Sequence, residues 1–208
     1  MAKEAPEIRE DFDLVASYLA EVFDVIKNAK KITLLTRREP YGDSIAVCTA
    51  FERFLEKMGK EVEVISGKPA DEFPVQPKNW LIWEHKQTPD LIISLDTFSK
   101  DEIYYPEAFH DITLINIDHH KQNDIMADYH LIVLQVTSSC EFLYYLMKEW
   151  NYGLIDNEIL EMILFGIIAD SDVLRSEHVY PRTFQAIADI TKKGVNFNKL
   201  RDDYLKSA

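Results

Sequence analysis

Residues 111–124 read DITLINIDHHKQND. The stretch begins as a β-strand, with apolar side chains at Ile112, Leu114, Ile115 and Ile117. It closes on three ionisable residues, Asp118, His119 and His120. A carboxylate and two imidazoles at the C-terminal end of a strand do nothing for a hydrophobic core. Their presence calls for a chemical reason.

Similar apolar runs lie on either side. KITLLT (31–36), EVEVI (61–65), DLIISLD (90–96), DITLINID (111–118) and YHLIVL (129–134) read as strands. Between and around them the period changes to that of helices. Phe12, Val15, Leu19, Val22, Phe23 and Ile26 predict an amphipathic helix within 7–29. DSIAVCTAFERFLEKMG (43–59) predicts a second, capped by Asp43 or Ser44 and ended by Gly59. Pro69, Pro74 and Pro77 mark 66–79 as a loop. From Ser138 onward the chain reads as a helical stretch. Strands alternating with helices predict an α/β fold: a doubly wound, mainly parallel five-stranded sheet flanked by helices. The chain, 1–208, reads as one domain.

Open α/β sheets bind ligands outside the carboxyl ends of their strands. The polar residues that end the apolar runs are therefore the site candidates: RREPYGD after the first strand, Asp96 after the third, DHH after the fourth. Asp170, after LFGII, joins them if its segment ends at the same rim. Three aspartates and a histidine form a hard oxygen and nitrogen donor set. It suits Mn²⁺ or Mg²⁺ better than zinc, which favours thiolates. A cation also relieves the repulsion among gathered carboxylates.

These residues resemble the signature of the DHH phosphoesterase superfamily. That superfamily includes single-strand exonucleases, oligoribonucleases, cyclic-dinucleotide phosphodiesterases and manganese pyrophosphatases. LLTRREPYGDSIAVCTAFERFLEKMGKEVEVI (34–65) resembles its first motif, a strand followed by H-x-N-P-D-G-D and a helix. IISLDT (92–97) is similar to the second, and IDHHKQND (117–124), with Asn123, to the third. VTSSCEFLYYLM (136–147) resembles a helix start that usually reads S-T-A-E. FGIIADSDVLRSEHVYPRTFQAIADITKKG (165–194) resembles the fourth motif. Motifs of this kind in order, at suitable spacing from about Lys31 to the C-terminus, are far more specific than the DHH triplet alone.

The resemblance implies roles. Asp43, Asp96, His119 and Asp170 match one metal site of the family, His120 would contact phosphate, and Asp118 would orient a histidine. The other metal site departs from the pattern, because its histidine falls on Arg37 and its first aspartate on Tyr41. Arginine stays protonated and has no acceptor, so it cannot be a ligand. Neutral His to Arg and Asp to Tyr together add two units of positive charge, matching the dication that would be lost. Two readings of Arg37 stay open: it lies near the vacated position and faces Asp96 or a phosphate oxygen, or the site has decayed and it points to solvent; one ion is expected in place of two. Arg37, Tyr41, Lys121 and Arg175 are the candidate substrate contacts, with Arg182 a further cation near the rim. The glycine-rich second domain of two-domain members has no counterpart within 1–208.

Composition narrows the rest. The formal net charge is −13, which disfavours duplex DNA but leaves room for a small phosphorylated ligand or a short single strand in a metal-lined cleft. No apolar run is long enough for a bilayer, so no membrane partner is expected. Cys48 and Cys140 are far apart and suggest buried thiols in a reducing cytoplasm. Ser138 and Ser139 read as caps, and Trp80 and Trp83 as packing residues. Two functions follow: a phosphoesterase of reduced or altered activity, or a nucleotide-binding regulatory module on the same fold. Assembly with a partner, including a homo-oligomer, is a third reading.

Overall fold

The computed structural model describes residues 12–67 and 76–207. Its helices are α1 (Phe12–Asn28), α2 (Gly42–Lys57), α3 (Ser139–Asn151), α4 (Asn157–Asp170), α5 (Pro181–Lys192) and α6 (Phe197–Ser207). Its strands are β1 (Lys31–Leu35), β2 (Glu61–Ser66), β3 (Trp80–Ile82), β4 (Leu91–Leu95), β5 (Leu114–Asp118) and β6 (Tyr129–Ile132). All strands are parallel, in the order β3-β2-β1-β4-β5-β6.

The sheet thus has six strands, where the sequence predicts five. The extra one, β3, has three residues, too few for a period of two to show. It pairs with β2 from Val64 to Ser66, which also draws Ser66 out of the expected loop. The N-terminal helix begins at Phe12, and residues 7–11 of the expected span lie outside the described residues. The cap of α2 also differs: Tyr41 is the N-cap, and Asp43 and Ser44 lie inside the first turn. The other end is as expected. Gly59 has φ 79, and Lys60 donates back to the Leu55 carbonyl at 3.1 Å, a glycine-ended helix stop.

The chain runs from β1 outward to β3, then returns and runs from β4 outward to β6. Parallel crossovers are right-handed, so opposite directions put the connections on opposite faces. One face, with Ile32, Leu34, Val64, Ile93 and Ile117, packs against the helices. The other, with Leu35, Ile65, Ile92 and Leu114, is covered by Ile103, Phe109 and Ile125 from the connecting segments. Two short 3₁₀ turns, Lys100–Glu102 and Glu107–Phe109, stand there in place of full helices. At the β6 edge, the Tyr18 hydroxyl accepts the His130 N–H at 2.9 Å and donates to its carbonyl at 3.3 Å. That occupies backbone groups an edge strand would otherwise expose. Among the described residues no helix is long and apolar enough to cross a membrane.

The winding reverses between β1 and β4, which opens a crevice at their carboxyl ends. Thr36 ties the two ends together by donating to the Leu95 carbonyl at 2.8 Å.

Candidate metal centre

Four chain segments meet at this crevice. β4 delivers Asp96 and β5 delivers Asp118, His119 and His120. The first turn of α2 delivers Asp43 and Ser44, and the last residue of α4 is Asp170. Asp96 is left-handed, with φ 50, a conformation costing about 1 kcal/mol or more outside glycine. Its N–H is held by the Ile117 carbonyl at 3.1 Å. The buried carboxylate accepts from the hydroxyls of Ser44 and Ser139. Three more left-handed residues, Asp172, Val173 and Leu174, follow Asp170. For a β-branched valine that is a strained backbone, and such strain gathers at functional sites.

Asp43 is buried, and its carboxylate accepts the N–H of Ser139 at 2.7 Å and of Cys140 at 3.1 Å. It therefore caps α3, not its own helix. Gly166 makes this approach possible. A β-carbon there would lie 2.6 Å from Asp43 Oδ1 and would overlap the Cys140 sulfur.

His119 Nε2 lies 3.5 Å from Asp96 Oδ1 and 3.5 Å from Asp170 Oδ2. Potential donor atoms of Asp43, His119 and Asp170 lie within 4.8 Å of one another, as do those of Asp96, Asp118, His119 and His120. His119 belongs to both groups. Burial alone pushes the Asp43 carboxyl up, and the charges of Asp96 and Asp170 push it further, well above the carboxylate range. Burial likewise takes Asp170 to about 6 against the opposing charge of His119. Asp96 is held below its usual value despite burial, by its hydrogen bond to His119 and by that group's charge. Burial would lower His119, but Asp96, Asp43 and Asp170 prevail and carry it up to about 10. Without a ligand, the cluster holds a proton on His119 to offset its carboxylates. Asp170 also sits at a helix C-terminus, the end where the helix dipole disfavours an anion.

Beside this cluster, His120 Nδ1 meets Asp118 Oδ1 at 2.7 Å, so Asp118 orients the second imidazole of the pair. The bond raises the His120 pKa. Asn123 donates to the other Asp118 oxygen and to Asn116 Oδ1, both at 2.8 Å. Buried Asn116 in turn reaches Ser94 at 3.0 Å. Phe98 packs on the His120 ring, with centroids 4.9 Å apart.

Residues 31–167 match the model of the DHH family, N-terminal domain. The chain belongs to the DHH family. It is 26% identical over 189 residues to the uncharacterized protein MG371 of Mycoplasma genitalium, covering 87% of this chain and 57% of that protein. The chain thus spans little more than half of that relative's length. An exopolyphosphatase-related protein from Bacteroides fragilis shares the fold with a TM-score of 0.81 at 20% identity, over 90% of this chain and 60% of that one. A putative family II inorganic pyrophosphatase from Methanococcus jannaschii does so with a TM-score of 0.63 at 17% identity, over 85% and 61%.

Within this DHH domain the departing residues have partners of their own. Arg37 meets a carboxylate other than Asp96. Its Nη2 lies 3.6 Å from Glu102 Oε1, because the 3₁₀ turn after β4 brings that carboxylate to the rim. Its charge still helps lower Asp170. The Tyr41 hydroxyl lies 3.0 Å from that of Tyr204 in α6, with the ring about half exposed. Lys121 is exposed, and Arg175 is bound to Asp172 at 2.8 Å. Arg182 lies over the Tyr145 ring, 4.7 Å from its centre, and 4.0 Å from Glu141. Ser138 caps α3 as expected, accepting the Glu141 N–H at 3.0 Å. Glu141 then accepts from Thr183 at 2.7 Å, which docks α5 on α3. Cys48 and Cys140 are free and buried. Asn116, Glu102, Gly166 and Tyr204 are not singled out by sequence reading, and Ser44 is read there only as a helix cap; their partners come from other segments. A cavity of about 530 Å³ borders Glu61, Glu63, Lys78 and Lys86. It lies beside β2 and β3, and none of its lining residues belongs to the aspartate and histidine cluster.

The donor set suits a hard divalent cation. It offers several carboxylates, an imidazole and no accessible thiolate, and a buried carboxylate cluster needs positive charge.

Proposed function

We propose that this domain carries a phosphoesterase centre for a small phosphorylated substrate: a nucleotide, a short oligonucleotide or a polyphosphate. Asp43, Asp96, His119 and Asp170 would hold one Mn²⁺ or Mg²⁺ ion. When bound, such an ion supplies Lewis-acid polarisation of a phosphoryl oxygen and lowers the pKa of a coordinated water. The observation that carries the reading is His119, equidistant from carboxylates on β4 and α4. Separate segments converge there with donors that burial makes costly to leave bare.

The chain's own residues supply the rest. Asp118 accepts from His120 Nδ1 and favours the protonated ring, whose Nε2–H would then donate to a phosphate oxygen. Arg37, Tyr41, Lys121 and Arg175 stand as cations and a hydroxyl for the remaining anionic oxygens. The reading places the protein in the cytoplasm, where its two buried thiols stay reduced.

A second reading is a binding or regulatory module without turnover. It is favoured by the contacts of Arg37 with Glu102 and of Tyr41 with Tyr204, which engage two positions of the family's other metal site. Hydrolysis of pyrophosphate, short oligonucleotides and cyclic dinucleotides with Mn²⁺, for wild type and Asp96→Ala, separates the two. Slow hydrolysis abolished by Asp96→Ala supports the enzyme. Ligand binding with no product supports the module. Anomalous scattering from Mn²⁺-soaked crystals should show one well-occupied ion; two would refute the single-ion site.

A further inference from the structure

The rim of the sheet also carries an aromatic and cationic wall outside the metal centre. Arg38, three residues past β1, lies with its guanidinium over the Trp83 ring, 4.9 Å from the ring centre. Trp83 follows β3. It is partly exposed, while Arg38 is exposed. The arrangement is fixed from several sides. Trp83 is left-handed, with φ 51, and its N–H is held by the Ser66 carbonyl at 3.3 Å. Tyr104 meets the indole edge-on, at 6.0 Å and 75°. Gly67 passes so near the Arg38 backbone that a β-carbon would sit 2.7 Å from the Arg38 carbonyl carbon.

The exposure of Arg38 is the telling feature. Among the described residues no carboxylate forms an ion pair with it. A guanidinium lying on an indole and open to solvent is a stacking surface for a planar, electron-rich ring. The carboxylate cluster stands over β1, β4 and β5, and this wall over β1 to β3. About two strand spacings, ~10 Å, separate them.

We propose that Arg38, held over Trp83, is the platform on which the base of a nucleotide stacks while its phosphate occupies the metal centre. This rests on the reading of that centre as a phosphate site, and makes the platform its determinant for nucleotides over plain polyphosphates.

The test is titration calorimetry with Mn²⁺, using pyrophosphate and ADP as probes, on wild type, Arg38→Ala and Trp83→Ala. Pyrophosphate binds all three proteins alike, which also shows that the variants fold. ADP binding weakens at least about fivefold in each variant. If both probes bind wild type and neither variant changes the ratio of their affinities, the platform is wrong while the phosphate site stands. If neither probe binds wild type, the phosphate reading fails and the platform falls with it. Trp83→Phe keeps a ring and should retain most of the ADP affinity; loss equal to that of Trp83→Ala would also count against stacking.

Discussion

Asp43 and Ser139 are joined by a 2.7 Å hydrogen bond from the Ser139 N–H to the Asp43 carboxylate. One side chain thus serves as a helix cap for α3 and as a candidate metal ligand. The two roles conflict in the absence of a cation, because burial and neighbouring aspartates push the Asp43 carboxyl up.

The first prediction follows from that conflict. A folded-state pKa above the unfolded value means the group's contribution is full below about pH 4 and is lost as pH rises. Asp43→Asn removes the titrating charge but keeps only one acceptor for the two α3 N–H groups, so the metal-free variant should be less stable than wild type at pH 4 and should lose less stability than wild type as pH rises from 4 to 7. The same variant should lose the Mn²⁺-dependent rise in Tm seen for wild type. Thermal melts with and without Mn²⁺ at both pH values check it, and an undiminished Mn²⁺ shift in the variant would remove Asp43 from the ligand set.

Gly166 sits in the middle of α4, where alanine would ordinarily gain about 1 kcal/mol. Here its β-carbon would press on Asp43 and Cys140. Gly166→Ala should instead destabilise by about 1–3 kcal/mol, the usual cost of overpacking, and weaken Mn²⁺ binding. Urea unfolding and calorimetry measure both; a stabilised variant with intact Mn²⁺ affinity would show that the helices have room to part.

The charge balance at the family's other metal site leads to a third. Arg37→His alone leaves that site a carboxylate short. Tyr41→Asp alone sets a new carboxylate near Arg37, which can close an ion pair. Only the double variant restores both ligands and removes two positive units. A second Mn²⁺ and faster phosphoesterase turnover should appear in the double variant, with little change in either single one. Calorimetry on all four proteins decides; a folded double variant with no added ion would refute the charge-replacement account.

His120 owes its raised pKa first to Asp118. If protonated His120 donates to the substrate, the rate falls as pH rises through that raised value. Asp118→Asn removes the stabilising charge, so the falling limb should move to lower pH and the rate at pH 8 should drop by roughly tenfold. A pH–rate profile for both proteins tests this. An unmoved limb would mean that another group sets it.

Much of this molecule is written in local sequence. β4 and β5 are short, apolar and wholly buried, and such strands announce themselves. So does the rim chemistry, because residues just past a parallel strand share one edge whatever else the chain does. Asp96, Asp118 and His119 reach the rim for that reason, whereas Asp43 lies in the first turn of α2 and Asp170 ends helix α4, so their arrival at the same edge depends on how those helices pack. The five-strand expectation fails at β3, where three residues cannot display a period and pairing with β2 alone makes the strand.

What the tertiary structure decided are the partners. Asp43 reaches Ser139 across 96 residues, and Tyr41 reaches Tyr204 across 163. Arg37 turns to Glu102, Arg38 lies on Trp83, and Gly166 admits Asp43. Residue identity and spacing constrain what a side chain is able to bond, and the element it sits on. Which partner it meets depends on how helices and loops pack over the sheet, a long-range outcome that no local pattern encodes.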